Sequence, residues 1–251
     1  IGLSYIELGK NEKAIETYSR IIDLKPGSYE AWNNKGLTLA RIPERREDAI
    51  VAYNSAIGIK PDYYEAWVNR GNAYVRIRKY EEAVNSYKKA IEIKPEEHAA
   101  WADIGFTLAD LGENEKAVGA FRKAVEIKPN SYASWNGIGL ALDKLGRYEE
   151  SVTAYRKAAK IDPGSYGAWT NLGLSHARSN RHNEAIDAYN HAIKLQPDSY
   201  ETITNKALEL TKVEKYTDAF ATIEKAINLK PDYPQAWNTK GDILINLGKL
   251  N

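Results

Sequence analysis

Seven prolines recur in this chain, at Pro26, Pro61, Pro95, Pro129, Pro163, Pro197 and Pro231. The first interval is 35 residues and the rest are 34. Tryptophan keeps the same interval at Trp32, Trp67, Trp101, Trp135 and Trp169, then, after one skipped interval, at Trp237. Two residue types locked to one period across 251 residues point to an array of like units, not to one globular core. A unit this short cannot bury an apolar face alone. Each must cover its neighbour, and the array leaves a long continuous surface suited to binding.

Residues 132–163 show what one unit contains. Ser131 stands where a helix N-cap is expected, and Trp135, Ile138, Leu142 and Leu145 follow at spacings of three or four, one face of a helix. Gly146 ends that run. A second helical pattern then places Tyr148, Ser151, Val152, Tyr155, Ala158 and Ala159 on one face, and Pro163 stops it, because proline disfavours helical geometry in the residue before it. A turn of three or four residues forces the two helices antiparallel.

Small residues are as regular as large ones. Gly36, Gly71, Gly105, Gly139, Gly173 and Gly241 each lie four after a tryptophan. Glycine inside a helix costs about 1 kcal/mol against alanine, so six such sites predict close approach of a neighbouring helix. On the second helices Ala49/Ala56, Ala83/Ala90, Ala117/Ala124, Ala185/Ala192 and Ala219/Ala226 mark the same seam. Tyr53, Tyr87, Phe121, Tyr155 and Tyr189 are the large residues expected to fill it. No β-type alternation of useful length occurs, so the chain reads as all-α.

The pattern Trp, Gly, Leu or Tyr, Gly, Ala, Tyr or Phe, Ala, Pro at a 34-residue period resembles the tetratricopeptide repeat (TPR), over nearly the whole chain. The resemblance implies an α-solenoid, a right-handed superhelix of antiparallel helix pairs whose first helices line a concave groove. In that register, residues 1–251 form a single array. A partial repeat at 1–28 precedes full repeats at 29–63, 64–97, 98–131, 132–165, 166–199 and 200–233, and a partial repeat at 234–251 follows. The chain opens in mid-helix and stops in a turn, so we expect a piece of a longer protein. Ile1, Leu3 and Ile6 at one end, and Ile243, Leu247 and Leu250 at the other, are expected to lack covering neighbours, which would allow self-association. Two repeats depart from the pattern. The repeat at 29–63 has an extra residue in the segment from Arg41 to Glu47 and no turn glycine. The repeat at 200–233 has Ile203 for tryptophan, Ala207 for glycine and Ile223 for the aromatic, and is expected to be the least tightly packed.

The resemblance also implies which residues face the groove. Two after the tryptophan slot stand Asn34, Asn69, Asp103, Gly137, Asn171, Asn205 and Thr239. An asparagine amide both donates and accepts, so a row of them can hold an extended backbone with little sequence preference. Asp103 and Gly137 interrupt the row. Five after the slot stand Leu37, Asn72, Phe106, Leu140, Leu174, Leu208 and Asp242, an apolar stripe that also fits half-burial between adjacent first helices. Nine after the slot, Arg41, Arg76, Lys144, Arg178 and Lys212 give a basic edge that would steer an acidic segment, or simply complement the ends of the first helices. The carboxylate clamp of chaperone-binding relatives is not matched: Asp103 stands where it needs asparagine, and Glu65, Ala99 and Ala133 occupy its lysine slots.

Composition removes other classes. Basic and acidic residues number 35 and 34, a net charge of +1 that offers no general attraction to nucleic acid or anionic lipid. Without cysteine there is no disulfide, thiolate metal site or thiol nucleophile, which fits a cytoplasmic setting. No apolar run approaches the ~18 residues that cross a bilayer. Gly137 and Gly139 follow no strand and read as packing glycines. His98, His176, His182 and His191 share no helix face, and no nucleophile, base and orienting group converge. The expectation is a non-catalytic scaffold without cofactor or metal, binding a peptide segment of another protein. A substrate-recruiting arm of a larger enzyme and a self-assembling scaffold are the alternatives.

Overall fold

The computed structural model describes residues 2–248, the side chain of Leu3 excepted. Ile1 and Leu250, named above as uncovered apolar ends, lie outside the described residues, and so does the Leu3 side chain. Among the described residues all regular structure is helical. It falls into two compact units divided between Pro129 and Asn130. Unit 1 holds α1 (Gly2–Glu7), α2 (Asn11–Leu24), α3 (Tyr29–Leu39), α4 (Arg46–Ile59), α5 (Tyr64–Arg76), α6 (Tyr80–Ile93), α7 (His98–Asp110) and α8 (Asn114–Ile127). Unit 2 holds α9 (Tyr132–Lys144), α10 (Tyr148–Ile161), α11 (Tyr166–Arg178), α12 (His182–Leu195), α13 (Tyr200–Lys212), α14 (Tyr216–Leu229) and α15 (Pro234–Asn246). Within each unit every helix packs on the next in the chain.

Local chemistry sets the helix ends. Ser28, Ser131 and Ser165 cap their helices, each side-chain oxygen accepting from the backbone N–H three residues on, at 3.3, 3.4 and 3.2 Å. At the turn after α9, the Arg147 N–H reaches back to the Leu142 carbonyl at 2.9 Å, and the Gly146 N–H to that of Asp143 at 3.1 Å. That closure puts Gly146 at φ 73°, and the same turn slot puts Arg78, Asn180 and Glu214 at 61°, 58° and 61°. Where the repeat at 29–63 has its extra residue, this closure is replaced by a 3-10 turn, Pro43–Arg45, with Arg45 bound to Asp48 at 2.9 Å.

The two periodic residue types are bonded to each other. The indole N–H of Trp67 donates to the Pro61 carbonyl at 2.8 Å; Trp32, Trp169 and Trp237 do the same to Pro26, Pro163 and Pro231. Proline leaves its carbonyl at the end of a helix, and the tryptophan one turn into the next helix satisfies it. The rings are half-buried or exposed, so the tryptophans brace the repeat junction from its flank. Arg70 lies 4.2 Å over Trp67, and His191 stacks on Trp169 at 4.3 Å. Junctions gain a second tie in unit 2, where the Tyr132 hydroxyl meets Ser165 Oγ at 2.8 Å and the Tyr166 hydroxyl meets Ser199 and Thr202.

The core is the seam between each first helix and the second helix of its own repeat. Tyr53, Tyr87, Phe121, Tyr155 and Tyr189 are each no more than 1 % exposed. A Cβ placed on Gly36, Gly71, Gly105, Gly139 or Gly173 would come within 2.5–2.6 Å of those rings. Gly2 joins the set against Tyr18 at 2.7 Å, whereas Gly241 meets nothing within 4 Å. The repeat at 200–233 is not looser than the others. Ile203, Ala207 and Ile223 are 3 %, 0 % and 0 % exposed, because the extra methyl of Ala207 is matched by the smaller Ile223.

Candidate functional site

The inner face of unit 1 is built from α3, α5 and α7. Leu37 and Phe106 are exposed there, and Phe106 stands edge-on to Phe121 with centroids 4.8 Å apart. Asn34 and Asn69 are half-buried. Asn69 Nδ2 donates to Asn33 Oδ1 of the preceding first helix at 3.0 Å, so part of that amide serves the fold. Asn72 is exposed and accepts from the Tyr87 hydroxyl at 2.7 Å. Arg41 and Arg76 are exposed but anchored backward: Arg76 Nη1 donates to the Ala40 carbonyl at 3.1 Å and Arg41 Nη1 to that of Ile6 at 3.5 Å. Each arginine thus satisfies a carbonyl at the end of the preceding first helix.

Asp103 takes the amide slot of α7. It is half-buried, and burial alone lifts its carboxyl to about 6. Tyr64 and Tyr87 lie close enough to feel its charge. Tyr64 is pushed up to about 12, by burial first and then by Glu97 and Asp103.

In unit 2 the inner face of α9, α11 and α13 carries two adjoining clefts. One, of about 420 Å³, is lined by Leu140, Asp143, Tyr148, Asn171, Leu174 and Arg178. The other, of about 320 Å³, shares Leu174 and Arg178 and adds Asn205, Leu208, Glu209 and Lys212. Among the described residues neither Asn171 nor Asn205 spends its side-chain amide on the chain itself. Of the three cations lining these clefts, Arg178 and Lys212 are paired, and Lys144, among the described residues, is not. Arg178 Nη1 lies 3.3 Å from Asp143 Oδ2, and Ser175 donates to the other oxygen at 2.9 Å. Lys212 Nζ lies 2.8 Å from Glu209 Oε1, and His182 Nδ1 is 2.6 Å from its Oε2. A larger cleft in unit 1, about 520 Å³, lies on another face of α7, over Trp101, Ile104, Leu108 and Leu111 between α6 and α8.

The paired carboxylates escaped the sequence reading. Their signal was present: Glu209 stands six after the tryptophan slot, where the other full repeats have Thr38, Ala73, Thr107, Ala141 and Ser175 and the partial repeat that follows has Ile243. A carboxylate in a buried slot otherwise kept uncharged must bring partners with it. The histidines do not converge. His176 is buried within α11 and its pKa is lowered by that burial, while His182 and His191 serve Glu209 and Trp169. Among the described residues no group of three or more His, Asp or Glu could hold a metal, and no helix is long and apolar enough to cross a membrane.

Residues 40–251 match the family profile described as the C-terminal domain of cilia and flagella-associated protein 70, and residues 1–64 match the tetratricopeptide repeat profile. The chain belongs to this tetratricopeptide-repeat family. Solved structures agree on the fold. The C-terminal part of a TPR repeat-containing protein from Cytophaga hutchinsonii superposes with TM-score 0.82 at 13 % identity, over 95 % of this chain and 97 % of that one. YrrB, described as a TPR protein with an unusual peptide-binding site, gives 0.62 at 24 % identity over 75 % and 96 %. MamA gives 0.61 at 26 % identity over 65 % and 95 %. No curated protein matches the chain. In TPR terms α3, α5, α7, α9, α11, α13 and α15 are the first helices of their repeats.

Proposed function

We propose that this TPR chain is a non-catalytic scaffold that binds an extended segment of another protein along the inner faces of its first helices. The observation that carries the reading is the pairing, in unit 2, of two uncommitted amides with a leucine stripe. Asn171 and Asn205 line the same adjoining clefts as Leu140, Leu174 and Leu208. An extended chain presents backbone N–H and C=O groups to amides and alternate side chains to apolar ground. The peptide-binding description of YrrB is in keeping with this.

The charge layout revises the partner expected from sequence. Arg178 and Lys212 are neutralised by Asp143 and Glu209, and only Lys144 among the cleft-lining cations stays unpaired, so the clefts of unit 2 offer amide and apolar contacts more than a positive field. The test is an array of nonapeptides probed with the wild-type chain and with Asn171→Ala/Asn205→Ala. Each amide lost to a backbone partner is worth about 1 kcal/mol, so the double variant should bind its best peptides about tenfold or more weakly. Its helical content and melting should be nearly unchanged. Unaltered affinity would rule out the amide row.

A further inference from the structure

Asp103 has no partner of its own. Among the described residues its carboxylate receives no hydrogen bond and forms no ion pair. The charged and titratable groups around it do not supply a counter-ion. Tyr64 on α5 and Tyr87 on α6 face it as neutral phenols whose pKa values are raised. Lys94, just past α6, lies 4.5 Å over the Tyr64 ring but binds Glu65 at 3.0 Å. Arg76 is turned back to the Ala40 carbonyl. Burial without a compensating charge is what raises the Asp103 carboxyl to about 6. At neutral pH it is therefore an anion held against a desolvation cost in a groove wall.

The surroundings suit one kind of visitor. Phe106 is one turn along α7 on the same face as Asp103, and its ring is 41 % exposed. An exposed aromatic beside a carboxylate takes the methylene stem of a long cationic side chain while the acid takes its head. Asn72, exposed and already accepting from Tyr87, has its amide nitrogen left to hold backbone.

We infer that the inner face of unit 1 selects a partner segment presenting a lysine or arginine side chain to Asp103, with its stem against Phe106. This rests on the groove-binding reading above and fixes the chemistry of its partner. It reverses the acidic partner expected from the basic row. A cation arriving at Asp103 relieves the burial cost, so the site favours basic segments by charge complementarity where Asn34 and Asn69 have no preference.

A positional-scanning library of acetylated, amidated nonapeptides tests it, with the 251-residue chain and its Asp103→Asn form as baits at pH 7.5 and pH 5. Asparagine already fills this slot at Asn34 and Asn69, so the variant should fold, which circular dichroism verifies. The wild-type chain should enrich lysine or arginine at one position at least tenfold over leucine at pH 7.5. The enrichment should fall severalfold at pH 5, where Asp103 is protonated, and vanish in Asp103→Asn. Equal enrichment by both baits, selection of acidic residues, or retention without any charge preference overturns the inference and leaves the groove reading standing. A wild-type chain that retains no nonapeptide overturns both. A concentration-dependent dimer abolished by Asp103→Asn would place a second copy in this face and also overturn it.

Discussion

A Cβ on Gly139 would stand 2.6 Å from the ring of Tyr155, which is itself wholly buried. The missing side chain of one helix and the large side chain of the other are one fitting, repeated along the array. Gly139→Ala gains about 1 kcal/mol of helix propensity and forces the ring into neighbours that cannot yield, an overpacking of about 3 kcal/mol. The net expectation is a loss of about 2 kcal/mol in urea unfolding. With Tyr155→Ile the same change should become stabilising by about 1 kcal/mol, because the alanine methyl then fills space, as Ala207 does against Ile223. An effect of Gly139→Ala with the same sign in both backgrounds would show that the ring is not what the glycine accommodates.

The tryptophans are worth less than their regularity suggests. Trp135 lies on the apolar face of its helix, yet its ring is only half-buried, so its truncation should cost less than the ~3–5 kcal/mol of a fully buried aromatic. The hydrogen bond can be isolated at Trp169, whose indole N–H lies 3.0 Å from the Pro163 carbonyl. Trp169→Phe keeps an aromatic ring and leaves that carbonyl short of its donor. It should cost about 1 kcal/mol, most of it at the junction of α10 and α11. Hydrogen exchange is the measurement. Protection lost at the end of α10 before global unfolding bears the prediction out, and unchanged protection there refutes it.

Much of this fold was legible because period alone carries it. Proline, tryptophan and glycine each act through one local mechanism, so their spacing announced helices, turns and seam. What stayed hidden depends on who stands opposite. Arg41 and Arg76 read as a basic edge because a sequence does not show that their guanidinium groups turn back to Ile6 and Ala40. Ile223 and Ala207 read as two losses because their compensation crosses from one helix to another. Glu209 went unread, although its slot is small and uncharged in every other full repeat. The groove charges are settled by such pairings, and pairings are tertiary.

Asp103 gives stability a pH signature. Its carboxyl sits at about 6 in the folded chain against an ordinary 3.8, so the ionised form is the one folding disfavours. That penalty is present in full above about pH 6 and disappears as pH falls toward 4, where the acid is neutral in both states. The difference corresponds to about 3 kcal/mol, reduced to about 1–2 by the water that still reaches the group. Asp103→Asn should therefore stabilise unit 1 by about 1–2 kcal/mol at pH 7.5 and by little at pH 4. Urea unfolding of both proteins across that range decides it. A gain that does not change with pH would mean that the carboxylate is not desolvated.

The turn between α13 and α14 offers a gain without any contact being made. Glu214 holds φ at 61°, a left-handed geometry that crowds its Cβ against the backbone, while Gly112 and Gly146 hold the same slot at 84° and 73° at no such cost. The closure itself is intact, with the Lys215 N–H on the Leu210 carbonyl at 2.9 Å. Glu214→Gly relieves roughly 1–2 kcal/mol of strain and gives back part of it through the greater freedom of glycine in the unfolded chain. The expected result is a net stabilisation of about 0.5–1 kcal/mol. Glu214→Ala, which keeps the Cβ, is the control and should gain nothing. Equal stabilisation by glycine and alanine would assign the effect to loss of the carboxylate and remove backbone strain from the account of this turn.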